Sequence, residues 1–518
     1  MYSLTDNKSS TDDFLGQGSY GCVYYPGIDC KGKKNKKTTV TKIQEINFYS
    51  KNEKNIGSFI KKNIKNFKKY VSPIVKACIV KFDIIEKSNL NLKKCDTLFE
   101  DYNASLAHVA DYTYNTNTDY DTYDTYDTYD KYKKTNSDTY RTVTIYPTIT
   151  DDTDSTLKQK VYTEYFLMYS YYIKSKSIKE YYSNTTNYAN CVISMLNHFS
   201  YLLTSLTLLN KHKIVQNDLH VNNILISLKT NKPVILDFGL SFQINKCYKA
   251  NKNIIDFYYL KKFLFDFRLD HYHVNIEKRF LSFIVYNVSD EFYSNIDTND
   301  AVNVLTKNII DIFINDAYDT IANNPEISYF FSSDELSEYK KALQQFYYQF
   351  DNKTDYPTYS VIAKYLLDFV YAYNDLYSLT IDLAYVYYNN KVFLENTSTS
   401  DNKNFKILLD FFLQLYKKVL YPNPTMRLKS SQAYSIYMFI VNYIKNIDIA
   451  DSDVGSDFDV GSDSDSDADY SSQFIIAFTK FLKSKSISIE VLFNKKFAFM
   501  NFKLLCNKTM FKFIKTNM

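Results

Sequence analysis

Within Lys213–Ile226 an aspartate, Asp218, stands five residues ahead of an asparagine, Asn223, with apolar, strand-like residues on both sides. One short turn later, Val234-Ile235-Leu236-Asp237-Phe238-Gly239 runs into a second carboxylate. Two β runs that meet at acidic and amide side chains are what a divalent metal and a phosphate chain require. Asn223 and Asp237 offer hard oxygen donors of the kind Mg²⁺ prefers, and Asp218 can take a proton from a hydroxyl. A chain carrying this pattern has to fold so that the two runs lie side by side.

The chain has 518 residues, enough for about two to four domains or one enlarged domain. Its net charge of +4 gives no reason to expect nucleic-acid binding. Seven cysteines, at 22, 30, 78, 95, 191, 247 and 506, are scattered and never form a CxxC pair, so they read as reduced thiols of a cytoplasmic protein. The start is polar and no uninterrupted apolar run reaches membrane-spanning length, so no membrane span is expected.

Near the start, Phe14-Leu15-Gly16-Gln17-Gly18-Ser19-Tyr20-Gly21-Cys22-Val23 matches GxGxxGxV, and the flanking alternation predicts one strand turning into another. Glycines let backbone N–H groups approach phosphate oxygens with no Cβ in the way, although a Gly-rich hairpin can also be only a turn. The dinucleotide fingerprint needs a helix after its glycines, whereas Cys22-Val23-Tyr24-Tyr25 before Pro26-Gly27 reads as strand and turn. The β-branched run Thr38–Ile43 predicts a strand with Lys42 pointing inward. Ile56, Phe59, Ile60, Ile64 and Phe67 then recur at helical spacing, which makes Glu53 the best carboxylate to pair with Lys42 and Glu45 its competitor.

Residues 70–95 read as further strands, Ile74–Ile79 and Val80–Ile85. From about 111 to 134 the composition collapses into Tyr, Asp, Thr and Asn, the mark of a disordered insertion. Tyr140–Ile149 and Val161–Met168 are both candidates for the next strand. Helical periodicity dominates from Ser177, with an apolar stripe of Phe199, Leu202, Leu203, Leu206 and Leu209. His198 and His212, on or beside that helix, read as packing or surface residues rather than ligands. Asp451–Asp469 reads as a solvated acidic linker, and the aromatics of Gln473–Met518 call for burial.

Together these residues resemble the eukaryotic-type protein kinase family, and most closely the divergent kinase-like proteins of giant DNA viruses. Gly16, Gly18 and Gly21 match its Gly-rich loop, Lys42 its phosphate-orienting lysine, Asp218 and Asn223 its catalytic loop, and Asp237-Phe238-Gly239 its metal-binding motif. The resemblance covers roughly residues 12–445. It implies an α+β, two-lobed fold: a small β-rich lobe over 12–170 with an insertion at about 100–160, and a mostly helical lobe over 171–448 with an insertion at about 290–400. Residues 449–471 and 472–518 then form the acidic linker and a basic, aromatic segment. It also implies an ATP-dependent serine/threonine-protein kinase with a protein substrate. ATP would be held by Leu15, Gly16, Gly18, Ser19, Gly21, Val23, Lys42 and Glu53, the base would be Asp218, and Mg²⁺ would sit on Asn223 and Asp237.

Two further marks carry the resemblance into the second lobe. Asn275-Ile276-Glu277 stands where the family has Ala-Pro-Glu, and Arg427 where it has the arginine that pairs with that glutamate. Two departures bear on function. The family's His-Arg-Asp is Gln216-Asn217-Asp218, so the arginine that answers an activation-loop phosphate is missing and activity independent of that phosphorylation is expected. The lysine two residues after the catalytic Asp is His220, a candidate phosphate contact with less charge to offer. Asp-Leu-His, as at 218–220, is common in kinase-like enzymes acting on small molecules, which is the alternative activity. A non-catalytic scaffold is a third reading, opposed by the presence of Lys42, Asp218, Asn223 and Asp237.

Overall fold

The computed structural model describes residues 13–18, 21–95, 164–249, 254–264, 273–287, 303–396, 399–446 and 476–487. The protein is α+β, a small antiparallel-sheet region followed by a larger helical one. It divides into two compact units, one of Met1–Lys54 with Ile74–Tyr172 and one of Asn55–Pro73 with Ile173–Met518. The low-complexity insertion, the run Tyr140–Ile149 and the acidic linker lie outside the described residues.

The first unit is built on five strands: β1 (Phe14–Gly18), β2 (Gly21–Tyr24), β3 (Thr39–Glu45), β4 (Lys76–Lys81) and β5 (Glu164–Tyr171). They pair antiparallel in the order β1-β2-β3-β5-β4. The period of two sorts their side chains. Cys22, Tyr24, Ile43, Tyr165, Leu167 and Tyr169 share one core cluster. Val23, Lys42, Met168 and Ala77 stand opposite one another in register, one row across the sheet.

Two expectations are corrected in this unit. Only Lys76–Lys81 of the 70–95 stretch is a strand, and Phe82–Glu86 is a short helix that buries Phe82 and Ile85. A brief apolar run satisfies periods of two and of 3.6 about equally, so sequence does not separate them. The cysteines are not all reduced thiols: Cys22 is joined to Cys95 and Cys30 to Cys78, with Cα separations of 5.9 and 6.1 Å. Partners 73 and 48 residues apart are brought together by the sheet, which spacing alone does not reveal. Cys191 and Cys247 remain as buried thiols.

The second unit is organised by two long helices, Tyr188–Lys211 and Tyr359–Asn389, which pack on each other. Each starts at a polar cap: Asn190 N–H donates to the Asn187 side chain and Val361 N–H to Thr358. The stripe Phe199, Leu202, Leu203, Leu206 and Leu209 is buried throughout. Tyr188–Lys211 is long and apolar enough to cross a membrane by length and composition alone, but 67% of its apolar window is buried inside the protein. Residues 290–400 supply helices Lys307–Ala322, Pro325–Ser328, Ser333–Tyr347 and Tyr359–Asn389, the third opened by a Ser332–Glu335 capping box. A three-stranded sheet of Ser175–Ser177, Ile224–Ser227 and Pro233–Ile235 and a two-stranded one of Ile214–Val215 with Phe242–Gln243 frame the Asp218 loop.

His198 is a packing residue, 1% exposed, with Nδ1 2.8 Å from the Tyr182 hydroxyl and Nε2 3.0 Å from the Asn231 carbonyl. That pattern suits a neutral ring that accepts from tyrosine and donates to the carbonyl. Burial pulls its pKa down from 6.5 to about 4. Because the folded pKa lies below the unfolded one, the unfolded chain takes up the proton first. Stability is therefore full above pH about 6.5 and falls as pH drops towards about 4, by about 3 kcal/mol at this site. In urea titrations across this window, the stability gap between wild type and His198→Gln is expected to narrow by that amount. A gap that does not change with pH would contradict it.

Candidate functional site

In the first unit, the two glycines flanking the β1–β2 turn have different reasons to be glycine. A Cβ on Gly21 would meet the Ile43 carbonyl at 2.1 Å, so Gly21 is required by close contact with β3. A Cβ on Gly18 would meet nothing within 4 Å, so no packing contact calls for glycine there. Leu15 is partly buried, Gly16 and Val23 are buried and cross-strand partners, and Ser19 lies outside the described residues. On β3, Lys42 Nζ reaches Glu53 Oε2 of the Phe48–Asn63 helix at 2.9 Å, with side chains only 13% and 5% exposed. Glu45, at the end of the strand, is exposed. The inward lysine and helical carboxylate are thus the pair that strand and helix periodicity select.

In the second unit, Gln216–Asn223 forms a loop held from several directions. Gln216 is fully buried, and its side chain joins the two β runs. Its Oε1 accepts Asp218 N–H at 2.8 Å, while its Nε2 donates to the carbonyls of Asp237 at 2.8 Å and Leu236 at 3.2 Å. Asn223 Nδ2 donates to the Asp218 carbonyl at 2.8 Å and to Asp218 Oδ2 at 3.2 Å, and lies 3.0 Å from His220 Nε2. This leaves the amide oxygen of Asn223 as its metal-donor atom. Asp237 is held at φ 51°, and Gly239 N–H donates to its Oδ1 at 3.2 Å, while Phe238 is buried completely.

Asp218, Asn223, Asp237 and His220 are therefore members of one network, and Lys42 and Glu53 form a separate pair in the other unit. His220 Nδ1 accepts Asn222 N–H at 3.3 Å, and Nε2 lies 3.9 Å from Asp218 Oδ2. Burial lowers the His220 pKa, although the Asp237 charge opposes this, which favours the neutral ring near neutral pH. Among the described residues no group of three or more His, Cys, Asp and Glu converges as a metal cage. Mg²⁺ does not need one, since it commonly takes one or two protein oxygens and fills its octahedron with water and phosphate.

Three contributors escape a reading of the sequence. Asp375, deep in the Tyr359–Asn389 helix, accepts Gln216 N–H at 2.7 Å and Asn217 N–H at 2.9 Å. Nothing in the local pattern sets it apart from a surface acid. Lys278 is 1% exposed and donates through Nζ to Asn217 Oδ1. Burial lowers its pKa to about 7 against the opposing pull of Asp218 and Asp375. Asn275 is a helix cap: its Oδ1 accepts Lys278 N–H at 3.1 Å. The signal for that was the helix-starting asparagine itself.

The helix so capped carries Glu277, whose Oε2 meets Arg427 NH1 at 2.8 Å with both side chains fully buried. Arg427 also donates to the carbonyls of Tyr421 and Pro422. The pair fixes the start of this helix to the turn at 421–427. No protein-family model matches the chain, and no curated protein matches it.

Proposed function

We propose that the chain is an ATP- and Mg²⁺-dependent phosphotransferase of protein-kinase type, acting on protein hydroxyls, most simply of serine or threonine. The observation that carries the reading is the network around the candidate base: Asn223 Nδ2 donates to the Asp218 carbonyl at 2.8 Å and to Asp218 Oδ2 at 3.2 Å, and Gln216 bridges the Asp218 N–H and the Asp237 carbonyl. The buried Lys42–Glu53 ion pair and the Gly18 position supply what a nucleotide's phosphates would need. Mg·ATP, when bound, supplies the phosphoryl group and neutralises charge that develops on it. Asn223 and Asp237 would hold the metal through oxygen, a donor set that fits the ion. Asp218, one third exposed, would accept the hydroxyl proton, and Lys42, kept charged and aimed by Glu53, would orient phosphate oxygens. His220, neutral and bonded to Asn222, would donate one hydrogen bond.

Purified protein and its Asp218→Asn variant, each given labelled ATP, Mg²⁺, generic protein substrates and a panel of small alcohols, test this. Label on protein that falls about 10²- to 10⁴-fold in the variant is expected. Label on a small alcohol alone would instead give the small-molecule activity, which the low charge of His220 favours. No transfer from wild type, with Mg·ATP still raising its melting temperature, would leave a nucleotide-binding scaffold.

A further inference from the structure

A lysine buried to 1% exposure is expensive, because an ammonium taken out of water must be repaid by partners, and a methionine would fill the same space at less cost. The Lys278 ammonium donates to the side chain of Asn217, which stands where the protein-kinase resemblance expects an arginine. Asn217 has a left-handed backbone, φ 71°, and its amide is shared three ways. Its Oδ1 takes the Lys278 ammonium, and its Nδ2 donates to the carbonyls of Leu240 at 2.8 Å and Phe263 at 3.3 Å. Its backbone N–H is held by Asp375 at 2.9 Å. Leu240 follows Asp237-Phe238-Gly239 directly, and Phe263 lies ahead of the helix that carries Lys278. One asparagine, next to Asp218 in the chain, thus ties Leu240 and Phe263 together.

We propose that Lys278 is a positioning residue for Asp218: through Asn217 its ammonium locks the loop to Leu240 and Phe263, so that an internal cation, not an added phosphate, holds these two residues against it. This rests on the phosphotransferase reading and names its regulation. Burial also explains why the cation can act here, since with no water to compete its bond to a neutral amide is strong. Burial lowers the Lys278 pKa to about 7, and the charges of Asp218 and Asp375 pull the other way, in favour of the ammonium.

Lys278→Met and Asn217→Gly test it, the glycine keeping the left-handed backbone while removing the amide, so that one variant folds even if the other does not. Wild type, both singles and the double are compared by phosphoryl transfer and by hydrogen exchange at 214–223, 240–249 and 254–264. Each single is expected to lower kcat at least tenfold, with KM for ATP within twofold and exchange at least tenfold faster in those three segments only. The double should be no worse than the worse single, and phosphatase treatment should leave wild-type activity unchanged. A kcat within twofold of wild type, unchanged exchange in the three segments, or activity lost on phosphatase treatment would overturn the proposal. A wild type with no transfer activity would sink the phosphotransferase reading instead. Exchange alone would then decide whether Lys278 and Asn217 hold Leu240 and Phe263 against the loop.

Discussion

Arg427→Met is expected to lower the stability of the helical unit by about 3 to 5 kcal/mol, read as a shift of its urea midpoint at constant m-value. The substitution keeps the length of the side chain but strands the Glu277 carboxylate, which is fully buried, and it removes the donors to the Tyr421 and Pro422 carbonyls. The cost comes mainly from the charge left behind. Removing both charges, in Glu277→Leu with Arg427→Met, should therefore recover most of the loss, because the desolvation of two ions is relieved at once. A double variant as unstable as the single would mean that Arg427 acts through its carbonyl bonds, and a single variant within 1 kcal/mol of wild type would show that the pair carries little.

Asp375→Ala is expected to cost a similar amount and to abolish transfer together with it. Two buried N–H groups, of Gln216 and Asn217, lose a charged acceptor, and each such bond is worth about 1.5 to 3 kcal/mol. Asp375→Asn is the informative control. It keeps one oxygen acceptor but sets an NH₂ against the other N–H, so its stability should fall between wild type and alanine. Its transfer rate should fall further than its stability, since the loop carrying Asp218 is displaced without the unit unfolding. Chemical denaturation and phosphoryl transfer measured on the same preparations separate the two effects. Equal stability of the aspartate and asparagine forms would show that the second N–H finds another partner.

The residues that sequence identified are those whose neighbours along the chain carry the signal. Lys42 lies on a strand of β-branched residues and Glu53 three residues before Ile56 of a helical stripe, so periodicity gives each its face, and packing of the helix on the strand brings them to 2.9 Å. Glu277 and Arg427, 150 residues apart, were legible only through resemblance to a family, since nothing local relates them. Asp375 and Lys278 were illegible for a different reason. Both are polar residues in helices whose other positions set the pattern, and an acid that accepts two distant backbone N–H groups leaves no trace in composition or spacing. The two disulfides failed in the same way, through contacts that exist only after the sheet has formed. The helix at Phe82–Glu86 was missed because five residues are too few to tell one period from another.

Gln216 has one more implication. The link between the Asp218 N–H and the Asp237 carbonyl is made here by a carboxamide, at 2.8 Å to each side, where the family resemblance expects an imidazole. A carboxamide has no pKa in the working range, whereas an imidazole changes its charge and its donor pattern between about pH 5 and 8. The joint between Asp218 and Asp237 is therefore blind to pH.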